Sequence, residues 1–268
     1  MARRKAVFGE CHLCGTHGKL SFEHVPPEAA FNDRKVLLHS IEKLISADDI
    51  AAAMEDTSGT QIKQRGMGAY TLCERCNNTT GSWYGSAYVE LAHAAMPLAF
   101  DPRSRGGVFV VASIRPLNVL KQILTMFCSA NAPRFAATRD GLRRFLLNRE
   151  ARAVPGGVRV YLGLVDGENS RVLRQAGLTG RLTLGAANPI LLVSEIVFPP
   201  FALIMTVDSE FDDPRLVEIS VPFGRFDYDQ KAEVPLLLHA VPSTTYFPGD
   251  YRTTDEVRRD RAANDAQG

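Results

Sequence analysis

The spacing of apolar residues predicts helices in the middle of the chain. Apolar positions at 117, 120, 123, 124 and 127 follow Pro116, a residue that suits the first turn of a helix, so we predict an amphipathic helix here. The same pattern predicts helices at about 78–96, ending before Pro97, and at 139–150. A further helix is predicted at 39–56.

Short apolar runs separated by glycine, proline and aspartate predict strands at both ends of the chain. Residues 7–25 hold two such runs around the turn GTHGK, which indicates a hairpin that Pro26 and Pro27 terminate. The predicted strands beyond residue 157 are VRVYLGLVD, ILLVSEIVF, FALIMTVD, LVEISVPFGRFDY and VPLLLHAVP. Helices followed by a run of strands make the fold class α+β.

The segment DPRSRGG at 101–107 combines proline, glycine and charge, so it is the best candidate for a linker. We therefore predict an N-terminal domain at 1–100 with an insertion at about 30–70. A helix-then-β domain is predicted at 107–250, and a polar tail at 251–268. No motif assigns a role to the second domain; one hypothesis is that it binds a regulatory partner or ligand.

Charge is distributed unevenly in this chain of 268 residues, whose formal net charge is +1. Residues 101–160 hold eleven arginine and lysine residues against three acidic ones. Such a basic band is typical either of a phosphate-facing surface or of an ordinary solvated face. Its central arginines are Arg134, Arg139, Arg143, Arg144, Arg149 and Arg152.

Neither a membrane span nor a secretory signal is predicted. The longest apolar run, PILLVSEIVFPPFALIMTV, is interrupted by Glu195 and by Pro199-Pro200, which favours two buried strands. The basic start MARRKAVFGE has no apolar stretch behind it. Five cysteines in an ordinary composition favour a cytoplasmic protein that uses thiolates to bind metal.

Four of the cysteines form two Cys-x-x-Cys pairs, Cys11 with Cys14 and Cys73 with Cys76. Four thiolates are the ligand set of a closed tetrahedral zinc site, which stabilises a fold and leaves no coordination position for catalysis. A redox pair or core cysteines are the alternatives, and His12 or His17 could replace one cysteine ligand. The fifth cysteine, Cys128, is predicted to be a small core residue.

Two further stretches, EHVPP at 23–27 and LCERCNNTTGS at 72–82, give the cysteine pairs a context. The order Cys-x-x-Cys, Glu-His-x-x-Pro, Cys-x-x-Cys-Asn resembles the HNH endonucleases, in the branch with a zinc-stapled treble-clef (ββα-metal) core. The resemblance covers about residues 8–96. Glu23 stands where most of that family has aspartate, and the family's usual asparagine before the second cysteine pair is absent.

The resemblance implies hydrolysis of phosphodiester bonds, with DNA favoured as substrate, and roles such as bacterial defence. It implies that His24 is the general base, and that Glu23 and the side-chain oxygen of Asn77 hold one catalytic Mg²⁺ or Mn²⁺. Adjacent strand residues point to opposite faces, so Glu23 and His24 can share a site only if their strand is irregular. The alternative function is a zinc-stabilised module that binds nucleic acid or protein without catalysis.

Several other residues have two possible roles. Trp83, Tyr84 and Tyr88 could stack on bases, but core packing is favoured. Basic residues near the candidate site could bind phosphate or be ordinary exposed residues, with equal weight. These residues are Lys63, Arg65 and Arg75.

Overall fold

The computed structural model describes most of the chain. The described residues are 6–38, 61–168, 170–179, 190–243, 251, 255–256, 258–259 and 262. The predicted helix at 39–56 and most of the predicted tail lie outside them. Helices and sheets both occur in the described part, so the predicted α+β class is confirmed at this level.

The N-terminal region is built on a small antiparallel sheet. Strands β1 (Val7–Glu10) and β2 (His17–His24) form the predicted hairpin, but the predicted turn GTHGK is wrong, because its last three residues belong to β2 and the turn lies at 11–16. Strands β3 (Val36–Leu38) and β4 (Gln61–Lys63) pair with each other in a separate ribbon. Strand β5 (Gly68–Cys73) then pairs with β2, so the order in the sheet is β1-β2-β5.

The chain leaves β5 directly into a helical run. Helix α1 (Glu74–Thr80) continues through a π-helical turn (Gly81–Gly85) into α2 (Ser86–Ala99). The predicted start near residue 78 is wrong, because the extended Cys73 begins the helix inside the second cysteine pair. The predicted end is also wrong: Pro97 lies in the last turn, where its missing N–H removes one hydrogen bond, and the helix ends at Ala99.

The next elements enclose the middle of the molecule. A 3-10 turn (Pro102–Gly106) occupies the predicted linker and leads into β6 (Val108–Ile114), a strand that we did not predict. The predicted helix after Pro116 is α3 (Pro116–Ala130). Two short helices follow: α4 (Arg134–Ala137) and the predicted α5 (Asp140–Leu147).

The C-terminal half contains a larger sheet in the order β11-β7-β10-β9-β8, with β13 parallel to β7. Its strands are β7 (Val158–Asp166), β8 (Arg171–Thr179), β9 (Ile190–Phe198), β10 (Phe201–Val207), β11 (Val217–Glu218) and β13 (Ala240–Pro242). Helix α6 (Ser220–Phe223) follows β11. Strand β12 (Ala232–Leu238) instead pairs with β6.

Two predicted strands of this half were wrong in part. The run at 216–228 gives only the two residues of β11 before α6, whose Pro222 could not donate to a ladder. The run at 234–242 is divided at His239, so that β12 and β13 belong to different sheets.

Helix α3 lies at the centre of the packing, with all its residues from Pro116 to Ser129 buried. The prediction of an amphipathic helix is therefore incomplete, because polar residues on its other face, such as Asn118 and Lys121, are buried as well. Buried side chains on both sides of 101–107 belong to one continuous core. The domain boundaries stay a prediction. Within the described residues, no helix is long and apolar enough to cross a membrane.

Candidate metal centre and catalytic site

The four paired cysteines meet at one point. The Sγ atoms of Cys11, Cys14, Cys73 and Cys76 all lie within 4.8 Å of one another. The Sγ atoms of Cys14 and Cys73 are 3.9 Å apart. Tetrahedral zinc with Zn–S bonds of about 2.3 Å places its sulfurs about 3.8 Å apart, so the cluster fits a structural metal such as zinc.

Strand pairing brings the two cysteine pairs together. The first pair lies in the β1–β2 turn, where Gly15 has φ +76° and donates its N–H to the carbonyl of Cys11. The second pair lies at the junction of β5 and α1, and Leu20 of β2 is the ladder partner of Cys73. The main-chain N–H of Cys73 lies 3.2 Å from the Sγ of Cys11, an arrangement that favours a thiolate.

The electrostatics of the cluster favour thiolate formation at Cys11. A hydrogen bond from the thiol of Cys76 lowers the pKa of Cys11 below its usual range. The same contact, with burial, raises the pKa of Cys76. The thiols therefore share protons in a crowded group, and a divalent cation would replace those protons and stabilise the thiolates together.

The histidines next to the first pair are not arranged as ligands. His12 is buried, and its Nδ1 lies 3.0 Å from the main-chain carbonyl of Ser129 at the end of α3. The hydroxyl of Ser129 also lies 2.5 Å from that of Thr71 in β5. His17 is exposed on β2. His12 thus attaches the first cysteine pair to the central helix.

Asn77 connects the start of α1 to β2. Its Nδ2 donates to the hydroxyl of Ser21 and to the carbonyl of Phe22, both at 3.1 Å. The β2–β5 ladder shifts register between these two residues, so the amide of Asn77 occupies an irregular point in the strand. No group in the described part of the chain donates to its Oδ1, which is therefore available to a ligand.

Glu23 is a buried carboxyl group, 7% exposed. Burial raises its pKa to about 8. None of the described residues forms an ion pair or hydrogen bond with its carboxylate. A buried carboxylate that no side chain neutralises is costly, and a bound cation would remove much of that cost.

His24 ends β2 and is half-buried. Its Nε2 lies 2.9 Å from the main-chain carbonyl of Arg65, and its ring packs edge-on against Phe22 at 4.9 Å between centroids. A carbonyl only accepts, so Nε2 carries the proton in this hydrogen bond and the neutral ring keeps its lone pair on Nδ1. The tautomer is therefore the one that makes Nδ1 a base.

A shared site for Glu23 and His24 requires an irregular strand, but the strand is regular at these two residues. Glu23 pairs with Ala69 and His24 with Gly68 in a regular ladder, and the register shift comes earlier, between Ser21 and Phe22. On a regular strand, successive side chains leave on opposite faces. The local ladder thus directs the carboxylate inward and the imidazole toward Phe22.

Asn32 is a residue of this site that sequence reasoning missed. It is 1% exposed, and its Nδ2 donates to the carbonyls of Pro26 and Met67 at 2.6 and 2.7 Å. Its Oδ1 accepts from the N–H of Met67 at 2.6 Å. It thereby holds the loop after β2 against the segment whose Arg65 carbonyl orients His24. An asparagine in a loop carries no sequence signal for such a role.

Most of the aromatic residues and the fifth cysteine that we considered as candidates are core residues. Tyr84 and Tyr88 are buried, as favoured, while Trp83 is half-buried with the guanidinium of Arg149 6.0 Å from its ring centroid. Cys128 is a buried core residue, as predicted, and does not belong to the cysteine cluster; burial raises its pKa to about 12.

No protein-family model, no curated protein and no solved structure matches this chain. Among the described residues, the cysteine cluster is the group of histidine, cysteine and acidic side chains placed to share a metal ion.

Proposed function

We propose that this protein is a metal-dependent endonuclease of the HNH type, with DNA as the favoured substrate. One observation carries the proposal: the amide of Asn77, at the helix start that the cysteines fix, is bonded to β2 at the peptide next to Glu23 and His24. This contact supports the proposal, because it ties the segment of Asn77 to the end of β2 that holds Glu23 and His24.

In this proposal, His24 removes the proton from the attacking water. The hydrogen bond from Nε2 to Arg65 fixes the ring and leaves Nδ1 as the proton acceptor. The cysteine cluster sets the position of Asn77, because Cys73 precedes the first residue of α1 and Cys76 precedes Asn77 within it. A rigid support of this kind is needed to hold reacting groups in place.

The two proposed ligands are of the type that a hard divalent cation prefers. The carboxylate of Glu23 has no partner among the described residues, and the Oδ1 of Asn77 is open. Both are oxygen ligands, which suit Mg²⁺ or Mn²⁺. When bound, such a cation supplies Lewis-acid stabilisation of the phosphate and of the leaving 3′ oxygen.

A second candidate is a zinc-stabilised module that binds nucleic acid without cleaving it. The regular ladder at Glu23 and His24 favours this function, because it directs the two side chains to opposite faces of β2. An active nuclease would need this strand end to turn so that both groups reach one phosphate.

The experiment is a cleavage assay with supercoiled and linear DNA in Mg²⁺ or Mn²⁺, stopped by EDTA. His24→Ala is expected to lower cleavage by about 10²–10⁴-fold, because a general base contributes about that much. Glu23→Gln and Asn77→Ala are expected to lower it by weakening the catalytic cation, so added Mn²⁺ should partly restore them and should not restore His24→Ala.

The matched control is His17→Ala, which removes an exposed histidine from the same strand and is expected to cleave like the parent. Zinc content and circular dichroism show whether each variant is folded. A His24→Ala protein as active as the parent would place the chemistry elsewhere. Binding of DNA without any cleavage, by the folded parent in either metal, would favour the second candidate.

A further inference from the structure

The arginines of the basic band are engaged within the molecule. Arg143 pairs with Asp140 at 2.8 Å, Arg149 with Glu150 at 3.1 Å and Arg152 with Asp227 at 2.9 Å. The positive charge of these three arginines is balanced by carboxylates of the same chain, which weakens the case for the band as a phosphate-binding surface. The other three also have internal contacts: Arg134 with Glu10, Arg139 with Phe135 and Arg144 with Asp140.

A second group of cations lies around the β3–β4 ribbon. Arg34, Lys35 and Arg65 are exposed, and Lys63 is half-buried. Within the described ranges, none of these four side chains has an ion pair or a hydrogen bond. One acidic residue, the exposed Asp33, adjoins them in sequence.

The fold places this group beside His24. The main-chain carbonyl of Arg65 accepts the hydrogen bond from the ring of His24. The side chain of Arg65 therefore leaves the main chain next to the proposed base. Lys63 pairs with Val36 across the ribbon, so the main chain of Lys35 lies one residue from the ladder partner of Lys63.

The ribbon is held rigidly at its base, next to these cations. Asn32 binds Met67, and a Cβ on Gly66 would lie 2.0 Å from the carbonyl of Asn32, so the two segments are in close contact. Arg34 follows Asn32 by two residues. The cations therefore project from segments with a fixed position relative to β2.

Arg75, the other basic residue near the site, is placed differently. It is exposed on α1 two residues before Asn77. Residues two apart on a helix do not share a face. Arg75 therefore points away from the side of α1 on which Asn77 contacts β2.

We propose that Arg34, Lys35, Lys63 and Arg65 form the surface that holds the phosphate backbone of a nucleic acid next to His24. This inference rests on the proposed function, and it names the substrate-binding surface. Unpaired cations release counterions when they meet phosphates, whereas arginines already paired with carboxylates must first give up those partners.

The test measures binding separately from cleavage. Anisotropy of a labelled DNA duplex is titrated with the full chain in Ca²⁺ at several salt concentrations. The double variants are Lys63→Gln with Arg65→Gln, and Arg34→Gln with Lys35→Gln. Each is expected to lower the slope of log K against log salt by about 2 and to weaken binding about tenfold in 0.1 M salt. The main-chain carbonyl that orients His24 is retained in every variant.

The matched control is Arg143→Gln with Arg152→Gln, which removes the same charge from the basic band and should change affinity less than about threefold. Equal effects in the control and the ribbon variants would overturn the proposal. So would unchanged slopes, or the absence of DNA binding by the parent. A parent that cleaves DNA in Mg²⁺ while its ribbon variants bind normally would overturn this inference alone and leave the proposed function standing.

Discussion

Lys121 has an unusual environment for a lysine. Its side chain is buried on α3, and its Nζ donates to the main-chain carbonyls of Asn148 and Arg149 at 2.7 and 2.9 Å. The Nζ also lies over the rings of Phe145, 4.5 Å from its centroid, and Tyr84, 5.6 Å from its centroid. Burial nevertheless lowers the pKa of Lys121 to about 7, because desolvation penalises the charged form more than these contacts favour it.

This pKa predicts that stability rises with pH. Between pH 7 and about 10 the unfolded chain holds a proton on Lys121 that the folded chain has lost, so deprotonation favours folding. Relative to a Lys121→Met variant, the parent should gain up to about 1.4 kcal/mol of unfolding free energy per pH unit in this window, with no gain below pH 7. Urea denaturation at several pH values measures the difference. Lys231→Met, at an exposed position, is the control, and a flat difference for Lys121→Met would contradict the prediction.

The candidate site could be predicted from the sequence where its residues carry a spacing. The cysteine pairs and the order of Glu23, His24 and Asn77 specify chemistry by their type and separation. The sequence could not show that the side-chain amide of Asn77 donates its hydrogen bonds to β2, because that contact depends on the register shift in the ladder. The role of Asn32 depends likewise on a loop closing against a distant segment.

The π-helical turn depends on a contact from another helix. Asn118 of α3 donates from its Nδ2 to the carbonyl of Trp83 at 2.9 Å, and its Oδ1 accepts from the N–H of Asp229 at 2.9 Å. A π turn disturbs the regular i→i−4 ladder and leaves carbonyls that need other donors. Asn118 therefore stabilises the turn and also fixes the loop before β12.

Asn118→Ala is expected to lower the unfolding free energy by about 1–3 kcal/mol, because it removes two hydrogen bonds of a buried side chain. Thermal or urea denaturation checks this value. Asn78→Ala removes an exposed asparagine from α1 and should change stability by less than about 0.5 kcal/mol. Similar losses in both variants would mean that the contact with the π turn contributes nothing.

Elements were predictable where periodicity and breakers agree. Pro116 and the regular apolar spacing specified α3, and apolar runs bounded by glycine, proline or aspartate specified β7, β9 and β10. Strand β6 was missed although VFVVASI is rich in β-branched residues, because we assigned no element between the predicted linker at 101–107 and the predicted helix after Pro116. Its partner β12 is distant in the chain, and pairing at that separation leaves no local pattern.

The cysteine cluster belongs to the larger of the two hydrophobic cores in the described part of the chain. Cys11 and Cys76 are buried in the continuous cluster that includes Leu120 and Phe201. His12 links the first cysteine pair to the end of α3. If this core is one cooperative unit, loss of the metal should destabilise the whole chain, whereas independent domains on either side of 101–107 would respond separately.

Zinc removal tests both the metal site and this coupling. The purified protein should contain about one zinc per chain, and chelation should lower the melting temperature, since structural zinc contributes on the order of 10 kcal/mol to small modules.

Trp83 is the chain's one tryptophan and lies against α3 through Asn118, so its fluorescence reports the contact between the two halves. Cys14→Ala should lose the zinc, while Cys128→Ala, which removes a buried cysteine outside the cluster, should retain it. Coincident transitions by fluorescence and by circular dichroism of the β-rich half would show one unit, and a separate early transition at Trp83 would support the predicted domains. A metal-free protein as stable as the parent would contradict the zinc site itself.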